Sequence, residues 1–370
     1  MTTPTLLRPT DLKEVRDAVL DSAGTLSVTG AGTAAAWAGT LDPVDAVLDL
    51  GGLTGVITHN PGDMTVSVRA GTPLRALNAE LAEHGQHVAF DAARVADGAT
   101  VGGLVSTGDA GPGALVLGTL RDLVIGATLV LADGTVARSG GHVIKNVAGY
   151  DLTKIVHGAY GTLAVIAEVV LRLHPLPKAT ATLVVPCALD EAVKHAARVL
   201  GGPSEPAALE WVSDPGALLL RIEGTEAALP DRVARLRELL GPTSAPDGGD
   251  AWAEHARLVR GTVDDTVLRL GVRPSRLPEV LGTIRARSVA AGLGTGVATA
   301  VLDPDPDAVA AAHAAVHAAG GTSVLRSRPV ASPAAAWGPA PSALAVLRSV
   351  KKSLDPAGRL GPGRFTPWLP

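Results

Sequence analysis

Apolar residues Leu12, Val15, Val19 and Leu20 recur at helical spacing behind Thr10, a capping residue type, and Gly24 closes the run, so a first helix is predicted. Leu26 to Thr29 reads as a short strand. Val44 to Leu50 and Val56 to Ala70, punctuated by Gly51-Gly52 and Pro61-Gly62, alternate as half-buried antiparallel strands do. Thr72-Pro73 opens a helix with Leu74, Leu77 and Leu81 on one face and Gly85 as its stop. A hairpin is expected from Leu123 to Ala132 and Thr135 to Arg138 about Asp133-Gly134. The strongest strand signal is Leu163 to Leu173, a Val-, Ile- and Leu-rich run fed by the turn Gly161-Thr162 and expected to be buried.

Past Pro175 and Pro177 the pattern changes to apolar strands alternating with Ala- or Arg-rich helices. Strand Thr180 to Pro186, helix Leu189 to Leu200, strands Ala207 to Val212 and Ala217 to Glu223, and helix Glu226 to Leu240 form one set. Strand Thr266 to Val272, helix Arg276 to Ala291, strand Gly294 to Leu302, helix Pro306 to Ala319 and strand Thr322 to Arg326 form a similar one. This repetition predicts a compact α+β unit of two ferredoxin-like halves, with Gly241 to Asp250 an exposed loop. A helix from Ser342 to Ser353 ends in Lys351-Lys352, and the turn-rich segment DPAGRLGPGRF follows from Asp355 to Phe365.

At 370 residues the chain has room for two domains, and 46% hydrophobic residues with a formal charge of −4 exclude disorder over most of it. Lys+Arg 32 against Asp+Glu 36 leaves no basic stripe, so nucleic acid is not expected as a partner. Cys187 is the single cysteine, which excludes an intrachain disulfide and a cysteine-ligated iron–sulfur cluster and fits a reducing compartment. No apolar run approaches the roughly 18 residues of a spanning helix. The expected location is cytoplasmic, with association at the inner face of a membrane through partners left open.

Gly30-Ala31-Gly32-Thr33-Ala34-Ala35 matches a GxGxxA dinucleotide fingerprint, and Asp49 lies near the distance at which a ribose-binding acid would fall. A parallel crossover through a helix needs about a dozen residues. Here Gly39 and the Leu41-Asp42-Pro43 break come too soon, so Gly30 to Thr33 reads as a tight turn whose N–H groups wrap a phosphate, or else as a plain glycine turn between strands. From Ala99 to Gly118 glycine is so dense that the backbone itself reads as a functional surface, with main chain expected to approach something closely and Ser106 and Thr107 adding hydroxyls. A freely solvated loop is the weaker alternative, because Val101, Leu104, Val105, Leu115 and Leu117 are embedded in the run.

These motifs resemble the vanillyl-alcohol-oxidase-type (PCMH-type) FAD-binding flavoproteins, in particular the FAD-binding subunits of bacterial glycolate oxidase complexes. The resemblance rests on GAGT at Gly30 to Thr33, TVGG at Thr100 to Gly103, RD at Arg121-Asp122, VIKNVAGYDLTK at Val143 to Lys154, GTLAVIAEVVLRLHPLP at Gly161 to Pro177, and DPAGRLGPGRF near the end. It implies an α+β fold with a PCMH-type FAD-binding domain over 1–177, a smaller ferredoxin-like cap over 178–335, and a C-terminal segment, 336–370, returning to the FAD domain. It further implies that Gly30, Ala31, Gly32, Thr33, Thr100, Val101, Gly102, Gly103, Ser106 and Thr107 wrap the FAD pyrophosphate. Gly161, Thr162 and Val165 would lie on the adenine side, and Arg364 either near the isoalloxazine or in a structural salt bridge. No R-S-G-G-H element accompanies the Gly30 turn, which implies non-covalent FAD.

The implied function is oxidation of glycolate, a 2-hydroxy acid, to glyoxylate, with electrons passing through FAD to an iron–sulfur partner beside a larger FAD subunit. A stand-alone FAD oxidoreductase on another alcohol or hydroxy acid, and a non-catalytic assembly subunit, are the alternatives. Related dehydrogenases look to carry HGDGNxH-type and EHGxG-type elements that supply metal and base, and this chain has neither. His313 and His317, four apart, have the spacing of two metal ligands but no third, and read as a solvated helix face; no metal is expected. His142, His157 and His174 read as packed or surface residues, and Lys145, Tyr150, Asp151 and Lys154 as an ordering loop. No catalytic base is assigned.

Overall fold

The computed structural model describes residues 3–143, 149–330 and 332–369, so Lys145 and Asn146 of the polar loop lie outside the described residues. The first half of the chain runs β1 Thr5–Leu7, α1 Leu12–Asp21, β2 Leu26–Thr29, β3 Ala46–Asp49, β4 Val56–Asn60, β5 Thr65–Arg69, α2 Leu74–Ala82, β6 Gln86–His87, α3 Val101–Thr107, α4 Ala114–Leu117, α5 Leu120–Leu123, β7 Val124–Val130, β8 Val136–Gly140, α6 Leu152–Val156, β9 Val165–Arg172 and β10 His174–Pro175. Asp11, rather than Thr10, caps α1 by accepting from the Glu14 N–H, while the Glu14 carboxylate takes the N–H and hydroxyl of Thr10.

Two sheets result. A five-stranded antiparallel sheet has the order β4-β5-β9-β7-β8, and the expected buried strand, β9, is its centre. Both faces of β9 are covered: Ile166, Val169 and Leu171 join a core with Leu74, Leu77 and Leu81 of α2 and with Leu104 of α3, while Val165 and Ala167 join a second with Val15, Val19, Leu26 and Leu48. A residue run buried on two faces shows no clean alternation, which is why it reads as continuously apolar. A three-stranded sheet, β1-β3-β2, is parallel throughout. The antiparallel expectation for Val44 to Leu50 is thereby corrected. The β2–β3 connection crosses without a helix, consistent with the short spacing that argued against a nicotinamide-type unit.

The second half runs β11 Ala179–Pro186, α7 Leu189–Leu200, β12 Ala208–Val212, β13 Ala217–Gly224, α8 Leu229–Leu240, β14 Ala245–Pro246, α9 Ala251–Arg260, β15 Thr266–Gly271, α10 Leu277–Thr283, β16 Ala286–Gly292, β17 Val297–Leu302, α11 Pro306–Ala318, β18 Thr322–Ser327 and finally α12 Leu344–Leu354. One eight-stranded sheet has the order β14-β11-β13-β12-β16-β17-β15-β18. Each half is a βαββαβ unit, and the two join through the antiparallel pair β12–β16, with Trp211 opposite Ala291. The helix expected from Arg276 to Ala291 is corrected: it ends at Thr283, and Ala286 to Gly292 is a strand. Alanine and arginine favour helix locally, but pairing on both sides and burial of Val289 and Ala291 prevail. Helix α9, capped by the Asp250 side chain, has no counterpart in the sequence expectations.

The C-terminal segment closes on the first half. Leu26 N–H donates to the Arg359 carbonyl and Gly361 N–H to the Leu26 carbonyl, adding a parallel bridge at Leu360 to β2. Lys351, 4% exposed, donates from Nζ to Asp355 Oδ2 at 2.6 Å and to the carbonyls of Thr162 and Leu360. Lys351→Met strands a buried carboxylate, and we expect it to cost about 3–5 kcal/mol of stability, read from urea denaturation curves.

Candidate functional site

Gly30 to Thr33 leave the end of β2 as a turn in which Gly32 holds φ +71°. The N–H groups of Ala31, Gly32 and Thr33 donate no hydrogen bond among the described residues, so the turn presents converging donors to a cleft of about 270 Å³. Directly beside it stands Thr100, the cap of α3: a Cβ on Gly30 would lie 2.4 Å from its Oγ1. The two motifs, seventy residues apart in sequence, therefore meet in one wall.

The cleft is lined by Gly30, Ala31, Gly32, Thr33, Thr100, Gly103, Ser106, Thr107 and Arg364. A deeper recess of about 50 Å³ continues from it past Gly102 and Gly161. Gly161 sits at φ +74°, a conformation that favours glycine, at the turn feeding β9. Val101, Thr162 and Val165 line neither space. Val101 and Val165 are packed in the two cores, and Thr162 is buried with its hydroxyl donating to the Ala159 carbonyl. Their side chains carry no contact to the cleft.

The donors expected of Thr100 to Gly103 are also placed differently. Val101 N–H reaches the Thr72 carbonyl, Gly102 N–H the Ala70 carbonyl, and Gly103 N–H the Thr100 hydroxyl. Glycine at 102 serves packing instead, since a Cβ there would stand 2.7 Å from the Ala70 Cβ. The N–H groups of Val101, Gly102 and Gly103 are thus taken within the protein, whereas those of Ala31, Gly32 and Thr33 donate to nothing among the described residues.

Arg364 extends from the C-terminal tail and donates from one nitrogen to the carbonyls of Ala35, Trp37 and Gly39. It staples the segment after the glycine turn while lining the cleft, and its partners are carbonyls where a salt bridge was the structural alternative. Burial pulls its pKa below the ordinary arginine value.

The sequence reading missed the charged wall of this cleft. Arg94, 5% exposed, donates to Thr33 Oγ1 and Thr107 Oγ1, both at 2.9 Å, and to Asp109 Oδ2 at 3.2 Å. Asp109 in turn accepts from Arg326 of β18 at 2.7 Å, linking the two halves of the chain. Both guanidinium groups stack on Trp37, 3.9 and 3.8 Å from the ring centroid. Burial opposes ionisation of Asp109, but the Arg326 and Arg94 charges outweigh it and hold its carboxyl below the usual range. Arg326, a lone charge in an apolar strand, was the available sequence signal; Arg94 and Asp109 carried none.

The histidines fall away from the cleft. An R-S-G-G-H sequence does occur at Arg138 to His142, at the end of β8 rather than at the Gly30 turn, and its His142 bonds Thr65 Oγ1 at 2.8 Å and Asn60 Nδ2 at 3.2 Å. Burial, with Arg121 and Lys154 adding, pushes His157 down to about 4, which leaves it neutral near pH 7. His313 is buried rather than solvated and bonds Ser323 Oγ and the Ala335 carbonyl, while His317 is exposed. Tyr150 is 90% exposed, the Thr153 hydroxyl donates to Asp151, and Lys154 donates to the Arg121 carbonyl.

Comparison with known proteins gives this geometry a family context. Residues 4–140 match the family model described as FAD binding domain. Over 200 residues the chain is 34% identical to glycolate oxidase subunit GlcE of Escherichia coli (strain K12), covering 54% of this chain and 55% of that protein. It is 36% identical over 143 residues to D-lactate dehydrogenase of Archaeoglobus fulgidus, covering 39% of this chain and 32% of that protein. The solved structure of an alkyldihydroxyacetonephosphate synthase superposes with a TM-score of 0.69 at 15% identity, over 96% of this chain and 76% of that one, and so shares its fold. The chain spans about half the length of the curated relatives it matches first.

Proposed function

We propose, from the premise that residues 4–140 are an FAD-binding domain, that this chain is a flavoprotein oxidoreductase subunit acting on a small 2-hydroxy acid, with glycolate the leading substrate. The observation that carries the reading is the cleft itself: three N–H groups at Ala31 to Thr33 with no partner among the described residues, faced by Thr100, Gly103 and Ser106 and backed by the Arg94 cation. A pyrophosphate requires just such converging donors, and a buried guanidinium favours its charge. Bound FAD supplies a two-electron acceptor. The chain's own part is to hold the phosphates at the Gly30 turn, to fix Thr33 and Thr107 through Arg94, and to keep the segment Ala35 to Gly39 in place through Arg364.

Retention in this cleft is non-covalent in our reading, since His142 is engaged elsewhere and no histidine lines the cleft. We further propose that the chain works beside a larger FAD subunit and an iron–sulfur subunit. The Escherichia coli relative is itself described as a glycolate oxidase subunit. No helix among the described residues is long and apolar enough to cross a membrane.

The test is anaerobic addition of glycolate and of D-lactate to the FAD-loaded protein. Loss of the oxidised-flavin absorption is expected with one or both, at a rate raised by the co-purified subunits. An unchanged spectrum with the whole assembly present would rule out hydroxy-acid oxidation.

A further inference from the structure

We infer that the interdomain cavity between the eight-stranded sheet and the segment Asp91 to Asp122 is a binding site for a small hydroxy-carboxylate, with Arg269 facing the carboxylate and the His255–Glu210 pair facing the hydroxyl. The inference deepens the function proposed above and rests on it for the choice of ligand. The cavity is about 410 Å³, within the range of small-ligand sites, and shares no lining residue with the glycine-turn cleft.

Strand alternation explains the lining. On β12, β13 and β15, Leu209, Trp211, Leu220, Ile222, Leu268 and Leu270 point into the helix-covered core. The residues between them, Glu210, Arg221 and Arg269, therefore point to the opposite face, where the first half of the chain lies. Three ionisable side chains on the inner face of a sheet are costly unless something there answers them.

Arg221 is answered, by Asp91 at 2.7 Å and Glu223 at 3.1 Å. Arg269 is not: it donates to Thr299 Oγ1 at 2.9 Å and the Ala110 carbonyl at 3.2 Å, and among the described residues no carboxylate pairs with it. Burial, with the Arg326 charge, pulls it down to about 10, while the nearby Asp109 and Glu210 carboxylates act in the opposite sense. Its Nε enters no hydrogen bond among the described residues and is the donor the site offers a ligand carboxylate.

The second polar element is equally built. His255 Nε2 lies 3.3 Å from Glu210 Oε2, and the two residues are 6% and 8% exposed. Glycine at 292 leaves space beside the pair, since a Cβ there would lie 2.2 Å from Thr295 Oγ1 and 2.8 Å from Glu210 Oε1. The His255 Nδ1 enters no hydrogen bond among the described residues and remains for a ligand hydroxyl. Trp252, edge-on to His255 with centroids 5.7 Å apart, lines the same cavity and provides an optical reporter.

Calorimetric titration of the purified protein with glycolate, and with oxalate as an unreactive analogue, tests the assignment. One molecule of each is expected to bind per chain, with or without FAD loaded, and to change Trp252 fluorescence; the signal disappears in Trp252→Phe. Arg269→Gln is expected to weaken both ligands about 10- to 100-fold, the loss of a charge-assisted contact, and Arg269→Lys, which keeps the charge, less. His255→Asn is expected to weaken glycolate more than oxalate. No binding to the wild-type protein, equal affinity in Arg269→Gln, or displacement by sulfate as strong as by glycolate would overturn the site. If the protein takes up FAD yet fails this test, the cavity assignment alone fails; if it takes up no FAD, the functional reading fails with it.

Discussion

Replacing Gly30 with valine is expected to weaken FAD binding about 10- to 100-fold while leaving the fold standing. The new Cβ would fall 2.4 Å from Thr100 Oγ1, and Thr100 is buried and occupied as the cap of α3, accepting from the Gly103 N–H. Overpacking of this kind costs about 1–3 kcal/mol, and the turn rather than the core must absorb it. That shift moves the free N–H groups of Ala31 to Thr33 off their common target, so FAD affinity should fall about 10- to 100-fold. Flavin fluorescence titration measures the loss, and circular dichroism checks the fold. Gly102→Ala makes the contrast, because its Cβ meets Ala70 in the helix–strand contact and should lower stability before it touches affinity. Unchanged FAD affinity in Gly30→Val would remove the turn from the site.

Asp109→Asn is expected to destabilise the protein by about 3–5 kcal/mol, because it leaves the Arg94 and Arg326 guanidinium groups without the carboxylate they share. The same bridge gives a pH dependence. The folded-state carboxyl is depressed below its unfolded value near 3.9, so its contribution is fully present above about pH 4 and is lost as pH falls through the folded pKa. Chemical denaturation from pH 7 downward should show wild type losing stability faster than Asp109→Asn below about pH 4. Parallel profiles would mean that the bridge adds nothing. Because Arg94 also fixes Thr33 and Thr107, weaker FAD retention is expected alongside the stability loss.

What the sequence revealed depended on how local the controlling physics was. Turn chemistry is local: Gly30 to Thr33, Gly161 and the Asp133-Gly134 hairpin stand where composition put them. Helical periodicity marked Leu74, Leu77 and Leu81, all buried. Strand direction is not local, so β3 read as antiparallel although it pairs parallel with β1 and β2. Ala286 to Gly292 read as helix because alanine and arginine favour one, while its fate is set by partners at 208–212 and 297–302. The glycines of Thr100 to Gly103 signalled close approach, correctly in kind, but the approaching group at Gly102 is the protein's own Ala70. The buried charges were least legible. Arg94, Asp109, Arg269 and Arg326 are scattered across more than two hundred residues, and only folding brings them to one junction.

The central claim, that the Gly30 cleft holds one non-covalent FAD, is tested most directly by the flavin content of the purified, FAD-reconstituted protein. Acid precipitation is predicted to leave a colourless pellet and to release one FAD per chain into the supernatant, with Gly30→Val releasing far less. A protein that takes up no flavin, or a pellet that stays yellow, would contradict it.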